Sequence, residues 1–260
     1  DPGTQCSGDA GLDPGIKSRG GPASNRRDGI MDVKRALIVG AGKGISASFA
    51  KGLAARGAKV MLAARNTDKL ADLAAETGAL TESCDAGDPA SVAALFQAAD
   101  REMGGVDLVL YNASSRARGG IAELDPADVE MAIRISGFGG FLVAQQAGKR
   151  MLDQGHGAIF FTGTSASVKG YPNSSSFAMG KFALRGLCQS LARELSPKNI
   201  HIAHFVIDGG VRSDTRKEPE GKPDSFLDPD AIAQTYLAVL DQPRNAWSWE
   251  VELRPFVENF

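Results

Sequence analysis

Gly40-Ala41-Gly42-Lys43-Gly44-Ile45 follows the aliphatic run Ala36 to Val39 and precedes an amphipathic stretch that carries Phe49, Leu53 and Ala54. A glycine-rich turn between a strand and a helix lets backbone amides approach a pyrophosphate, and the helix N-terminus adds favourable partial charge. The next apolar run, Lys59 to Ala64, ends in Arg65, where dinucleotide binders read the ribose. An acidic residue there favours the free hydroxyls of NAD, whereas an arginine favours the extra phosphate of NADP, and Lys43 supplies a second cation. Either cation alone would suit an ordinary solvated position. Their coincidence with the glycine turn predicts NADP(H) in preference to NAD(H).

A second set of candidate residues lies between Tyr171 and Leu195. Phe177, Leu184, Leu187, Leu191 and Leu195 recur at helical spacing, with Pro197 just beyond, so Phe177 and Lys181 share one helix face. Ser174, Ser175 and Ser176 read as capping or turn residues rather than nucleophiles, because no base partner is evident. Cys6, Cys84 and Cys188 are odd in number and widely spaced, which supports neither a disulfide framework nor a zinc site. His156, His201 and His204 form no motif with them, and no metal site is expected.

The elements that must position these residues alternate. Short aliphatic runs at Ala36 to Val39, Lys59 to Ala64, near Leu80, Asp107 to Tyr111, Ala158 to Thr162, His201 to Ile207 and Trp249 to Leu253 are separated by helical patterns. This alternation predicts βαβ units and a parallel sheet covered on both faces. Asp88-Pro89, Asp125-Pro126 and Asp228-Pro229 each set a capping carboxylate before a proline suited to the first turn, and so mark three helix starts. The charged, proline-containing stretch Arg212 to Phe226 reads as a mobile loop placed where a substrate lid would sit.

With 260 residues, 43% of them hydrophobic, the chain can bury a sizeable core, and one domain over 31–260 is expected. Residues 1–30 hold seven glycines and three prolines and read as a disordered extension, with Met31 standing just before the first strand. A formal net charge of −2 gives no basic field for nucleic acid. No apolar run reaches the roughly 18 to 20 residues of a membrane span. A cytoplasmic protein with a small-molecule substrate is expected.

The landmarks, in order, resemble the short-chain dehydrogenase/reductase family from about Val33 to the C-terminus. Gly40 to Ser46 resembles its glycine turn, Asp85 its adenine-contacting aspartate, and Tyr111-Asn112-Ala113-Ser114 its Asn-Asn-Ala-Gly element. Lys181 matches the lysine of Tyr-x-x-x-Lys, and Asp208-Gly209-Gly210-Val211-Arg212-Ser213 resembles the Pro-Gly-x-Val-x-Thr segment along the nicotinamide. The resemblance implies a single Rossmann-like doubly wound α/β domain, a seven-stranded mainly parallel sheet with helices on both faces, and a homodimer or homotetramer. Family members use asparagine, serine, tyrosine and lysine as a catalytic set; the matching positions are Ser136, Thr164, Phe177 and Lys181. Ser46 also replaces the third glycine of the turn, and Asp208 replaces the proline. The enoyl-reductase branch likewise ends its glycine turn in serine, but its tyrosine would fall at Ser174.

In the family's chemistry the tyrosine moves a proton at the substrate oxygen while hydride moves at the nicotinamide. Phenylalanine lacks that hydroxyl, and positioned proton transfer contributes roughly 10²- to 10⁴-fold. Thr164 keeps a hydroxyl to anchor a carbonyl, and Lys181 can bond the nicotinamide ribose without any tyrosine. Tyr171 is either a substitute acid or a packing aromatic, and Asp208 either a proton carrier or a partner for backbone amides. Two functions remain: an NADP(H)-dependent oxidoreductase of non-standard mechanism, acting on a small carbonyl, imine or activated alkene, or a catalytically silent NADP(H)-binding protein.

Overall fold

The computed structural model describes residues 31–258, so the expected extension over 1–30 and Cys6 lie outside the described residues. Seven strands form one sheet: β1 (Arg35–Val39), β2 (Lys59–Ala64), β3 (Leu80–Ser83), β4 (Leu108–Tyr111), β5 (Gly157–Thr164), β6 (Ile200–Ile207) and β7 (Glu250–Leu253). Their order is β3-β2-β1-β4-β5-β6-β7, and every neighbouring pair is parallel. The expected runs match these strands closely. The largest difference is at β5, which continues to Thr164 because Gly163 and Thr164 stay in register with Val206 and Ile207.

The helices are α1 (Ile45–Ala55), α2 (Ala71–Thr77), α3 (Pro89–Met103), α4 (Pro126–Ile133), α5 (Gly139–Gln154), α6 (Ser175–Leu195) and α7 (Pro229–Leu240). The three Asp-Pro pairs start α3, α4 and α7. Asp88 accepts from the Ser91 amide, Asp125 from Ala127 and Asp228 from Asp230, so each carboxylate satisfies a first-turn donor that proline cannot disturb. A π turn, Arg134–Phe138, joins α4 to α5.

Why the strands read as apolar throughout is clear from their packing. In β1, Leu37 and Val39 enter a core with residues of α3, α5 and α6, while Ala36 and Ile38 enter another with residues of α1 and α7. The same alternation in β4 sends Val109 and Tyr111 to the first core and Leu108 and Leu110 to the second. Burial on both faces removes the polar half of the usual strand pattern. Tyr236 of α7 stacks on Phe205 of β6 at 3.8 Å between ring centroids, and its hydroxyl lies 3.1 Å from that of Thr162. Among the described residues, no helix is long and apolar enough to cross a membrane.

The chain turns one way from β1 to β2 and β3, then crosses back through α3 to β4. The carboxyl ends of β1 and β4 therefore diverge into a crevice, the place where open α/β sheets bind ligands. Gly40 and Asn112, the residues that follow those two strands, stand at its mouth.

Candidate active site

The glycine turn is shaped by close backbone contact. Gly40 has φ +81°, and a Cβ there would lie 2.3 Å from the Ala113 amide nitrogen, so this position admits only glycine. The amides of Gly40 and Ala41 both donate to the Ala63 carbonyl, and Asn112 donates from Nδ2 to the Gly40 carbonyl at 3.2 Å. Ser46, in place of a third glycine, accepts from the Gly42 amide and donates to the Gly42 carbonyl, both at 3.0 Å. α1 starts at Ile45 after Gly44 with no side-chain cap. Its first-turn amides are thus left for a ligand, and the turn fits a pyrophosphate. Asp85 is exposed after β3 and accepts from the Gly87 amide at 2.9 Å.

The two expected phosphate cations differ. Arg65 is exposed at the end of β2, with no acidic partner among the described residues. Lys43 instead meets Asp214 of the 212–226 loop at 3.0 Å, and this exposed pair holds its ammonium's charge above the ordinary range through the Asp214 hydrogen bond. Lys43 lines a cavity of 1050 Å³ together with Gly42, Gly44 and Ser213. Ile45, Thr164, Phe177, Gly209 and Val211 line a different one, of 560 Å³. The sequence segment 209–213 is therefore shared between two cavities.

Lys181 lies beneath the second cavity, only 2% exposed. Its ammonium donates to the Thr162 carbonyl at 2.8 Å and sits 5.9 Å from the Phe177 ring centroid. An ammonium has three donors, so two are left without an acceptor among the described residues. Burial lowers its pKa to about 8; the Cys188 thiol opposes this and Arg116 reinforces it. Orphaned donors on a nearly dry cation fit the hydroxyls of a ribose. Thr164 accepts from the Ala166 amide at 3.1 Å, which leaves its own hydroxyl hydrogen free to donate.

Ser136 lines neither of these two cavities. Its hydroxyl is fully buried in the π turn, accepts from the Ser115 amide at 3.1 Å and donates to the Ser115 carbonyl at 3.0 Å. The hydroxyl's one donor and one of its acceptor sites are spent on the backbone. Ser176 does the same one step along, bonding the Ala117 amide at 3.1 Å and the Ala117 carbonyl at 2.7 Å. Two buried serines from different elements thus clamp the backbone on either side of Arg116. The Arg116 guanidinium then lies over the Phe177 ring, 3.9 Å from its centroid, a contact worth about 1 to 2 kcal/mol when partly desolvated. Burial, then the like charges of Arg118 and Arg216, lower the Arg116 pKa below its ordinary value.

Arg116, Arg118, Arg216 and Ser176 were missed as site residues, although Arg116 and Arg118 follow Asn112-Ala113 closely and their alternation was a readable signal. One further expectation is corrected. Asp208 is 2% exposed and paired with Lys169 at 3.3 Å and Arg254 at 3.4 Å, so it is neither a free proton carrier nor a binder of local amides. Tyr171 is 42% exposed, lines the smaller cavity and carries the Lys169 ammonium 5.8 Å from its ring centroid, so its aromatic packing is with a surface lysine.

Behind the site, His204 is fully buried against Gly163, where a Cβ would lie 2.1 Å from its Nε2. Its Nδ1 is 3.0 Å from Glu250, which Arg185 grips at 2.6 and 2.7 Å. Burial drives the His204 pKa down to about 4 against the pull of Glu250, so the ring is neutral at physiological pH and Nδ1 donates. Although burial pushes Glu250 up, the hydrogen bonds from Arg185 and His204 hold it below the usual carboxylate range.

Comparison with known proteins accounts for this geometry. A versicolorin reductase of Emericella nidulans is 32% identical over 190 residues, which cover 71% of this chain and 71% of its own. D-threitol dehydrogenase of Mycolicibacterium smegmatis is 31% identical over 230 residues, covering 78% and 84%. A short-chain dehydrogenase structure from Rhodopseudomonas palustris superposes with TM-score 0.73 at 34% identity, over 85% of this chain and 98% of that one. A metagenomic short-chain oxidoreductase in complex with NADP superposes with TM-score 0.74 at 25% identity, over 86% and 98%. The family model described as short chain dehydrogenase matches residues 34–223, from just before β1 into the 212–226 loop. The chain belongs to the short-chain dehydrogenase family of oxidoreductases.

Proposed function

We propose that the protein is an NADP(H)-dependent oxidoreductase acting on a small carbonyl, imine or activated alkene, and that it works without a tyrosine proton donor. The observation that carries this reading is Lys181, a buried ammonium with one acceptor, Thr162, and two unmet donors under the cavity that Thr164, Gly209 and Val211 line. A nicotinamide ribose would complete its hydrogen bonding. Bound cofactor supplies or takes up hydride at the nicotinamide ring.

The chain's own groups divide the remaining work. Gly40, Gly42, Gly44 and Ile45 offer the turn and the uncapped amides to the pyrophosphate, and Asn112 and Ala113 hold that turn in place. Arg65 meets the 2′-phosphate and Asp85 the adenine, while Gly209 and Val211, with Ser213 next along the segment, border the nicotinamide. Lys43 joins the cofactor only by leaving Asp214. Thr164 donates to the substrate oxygen. Phe177 moves no proton, so the proton exchanged belongs to water or to the substrate. A homodimer or homotetramer is supported by the exposed Phe138, Phe141, Met179 and Phe182 on the π turn, α5 and α6.

A second reading, a catalytically silent NADP(H)-binding protein, is favoured by one observation: Ser136 and Phe177 between them leave two of the family's catalytic positions with no free protic group. Following NADPH absorbance against ketones, imines and enones, beside NADPH and NADH titrations, separates the two. Turnover with one class, and tighter binding of NADPH, are expected. Tight binding with no turnover on any class refutes the enzyme reading. Arg65→Asp should weaken NADPH far more than NADH, and equal loss for both refutes the phosphate role.

A further inference from the structure

The wall of the 560 Å³ cavity contains three arginines, Arg116, Arg118 and Arg216, and no acidic residue. All three side chains are exposed, and none has a carboxylate partner among the described residues. Several other surface arginines meet acids: Arg56 meets Asp241, Arg150 meets Asp100, and Arg212 meets Asp228. Three like charges around one concavity repel each other and raise a positive potential that only an anion relieves.

The cluster is also assembled from separate parts of the chain. Arg116 and Arg118 come from the strap that Ser136 and Ser176 clamp, and Arg216 comes from the 212–226 loop. Arg116 is further set by the face of Phe177, itself only 5% exposed. The phenylalanine thus has a positive role, as the platform on which a guanidinium rests. A guanidinium stays charged across the physiological range and presents a fork of donors matched to carboxylate and phosphate oxygens.

We propose that Arg116, Arg118 and Arg216 form an anion-binding subsite, and that the substrate of this cavity is a small molecule carrying a carboxylate or phosphate beside the group reduced or oxidised at Thr164. This rests on the reading of the cavity as the substrate site. Charge-assisted, bidentate contacts to such a group fix its orientation. Thr164, which lines the same cavity, then meets the reacting oxygen. The same chemistry has a second source, a phosphate of the cofactor itself, because the glycine turn borders Ile45 at the cavity's edge.

The test is binding, and so does not depend on turnover. The NADPH-saturated protein is titrated with benzoylformate, with its neutral methyl ester, which carries the same ketone, and with phenyl phosphate, at low and high salt. If NADPH does not bind, the titrations are made on the protein alone, which separates failure of the cofactor reading from failure of this one. Benzoylformate or phenyl phosphate should bind about tenfold or more tighter than the ester at low salt, with the advantage shrinking as salt screens the arginines. In Arg118→Gln/Arg216→Gln the advantage should fall to about twofold or less while NADPH affinity holds within about threefold. Equal affinity for acid and ester overturns the proposal, as does an advantage that survives in the double variant. A tenfold or greater loss of NADPH affinity in that variant, with anion binding intact, assigns the arginines to the cofactor phosphates and overturns it too.

Discussion

The buried ammonium of Lys181 makes cofactor affinity depend on pH in a way that an exposed lysine would not. Burial lowers its pKa from 10.5 to about 8 in the free protein, a differential cost of about 3 kcal/mol for holding the charge. Its folded pKa lies below its unfolded value. The destabilisation is therefore full below about pH 8 and is relieved as pH rises toward 10.5. If ribose binding requires the charged form, apparent Kd scales with the reciprocal of the protonated fraction. That fraction falls from about nine-tenths at pH 7 to about one-tenth at pH 9, so Kd for NADPH should rise about tenfold across that window. With an ordinary lysine pKa the same window would change Kd by only a few per cent. NADPH fluorescence titrations at pH 7, 8 and 9 measure this directly. Lys181→Met keeps the length of the side chain, removes the charge, and should bind NADPH weakly with a flat profile. It should also be more stable than the native protein at pH 7 by up to about 3 kcal/mol in urea unfolding. A flat profile in the native protein, or the same slope in Lys181→Met, would refute the assignment of Lys181 to the ribose.

Other consequences can be measured independently. Phe177→Tyr keeps the ring under Arg116 and puts a hydroxyl on the helix face that Phe177 shares with Lys181; ketone reduction should rise by roughly 10²- to 10⁴-fold, and an unchanged rate with NADPH binding intact would show that the missing hydroxyl was not limiting. His204 titrates in the opposite part of the pH range. Its folded pKa of about 4 lies below the unfolded 6.5, so the stability tied to the neutral ring is complete above pH 6.5 and is lost as pH falls through about 4. Urea unfolding of the native protein should therefore weaken between pH 6.5 and 4 more steeply than that of His204→Gln, and parallel curves would contradict the burial argument. Sedimentation should give a dimer or tetramer, and Phe141→Glu/Phe182→Glu should shift it toward monomer; a monomeric native protein would remove the role given to those exposed rings.

What could be read from the chain follows the range of the interactions. Asp88, Asp125 and Asp228 announce their helices because each carboxylate caps an amide two or three residues away. The glycine turn and the shared face of Phe177 and Lys181 are equally local. The serine clamps are not: Ser136 and Ser176 reach backbone 21 and 59 residues away. Nothing in their own neighbourhoods marks them. Asp208 reads from the sequence as either a proton carrier or a partner for backbone amides because its actual partners, Lys169 and Arg254, lie 39 and 46 residues distant and meet it only once β5, β6 and β7 are side by side. Lys43 was read beside Arg65 for the same reason; its partner Asp214 is 171 residues on.

The paired clamps on residues 115 and 117 bond main-chain atoms alone. The course of this segment is consequently independent of which side chains it carries at 116 and 118. A strap held in this way works like a fixed rail with exchangeable fittings. The charge, length or polarity presented to the cavity can change by single substitutions while the rail, and the cofactor turn packed against Ala113 at its near end, stay where they are.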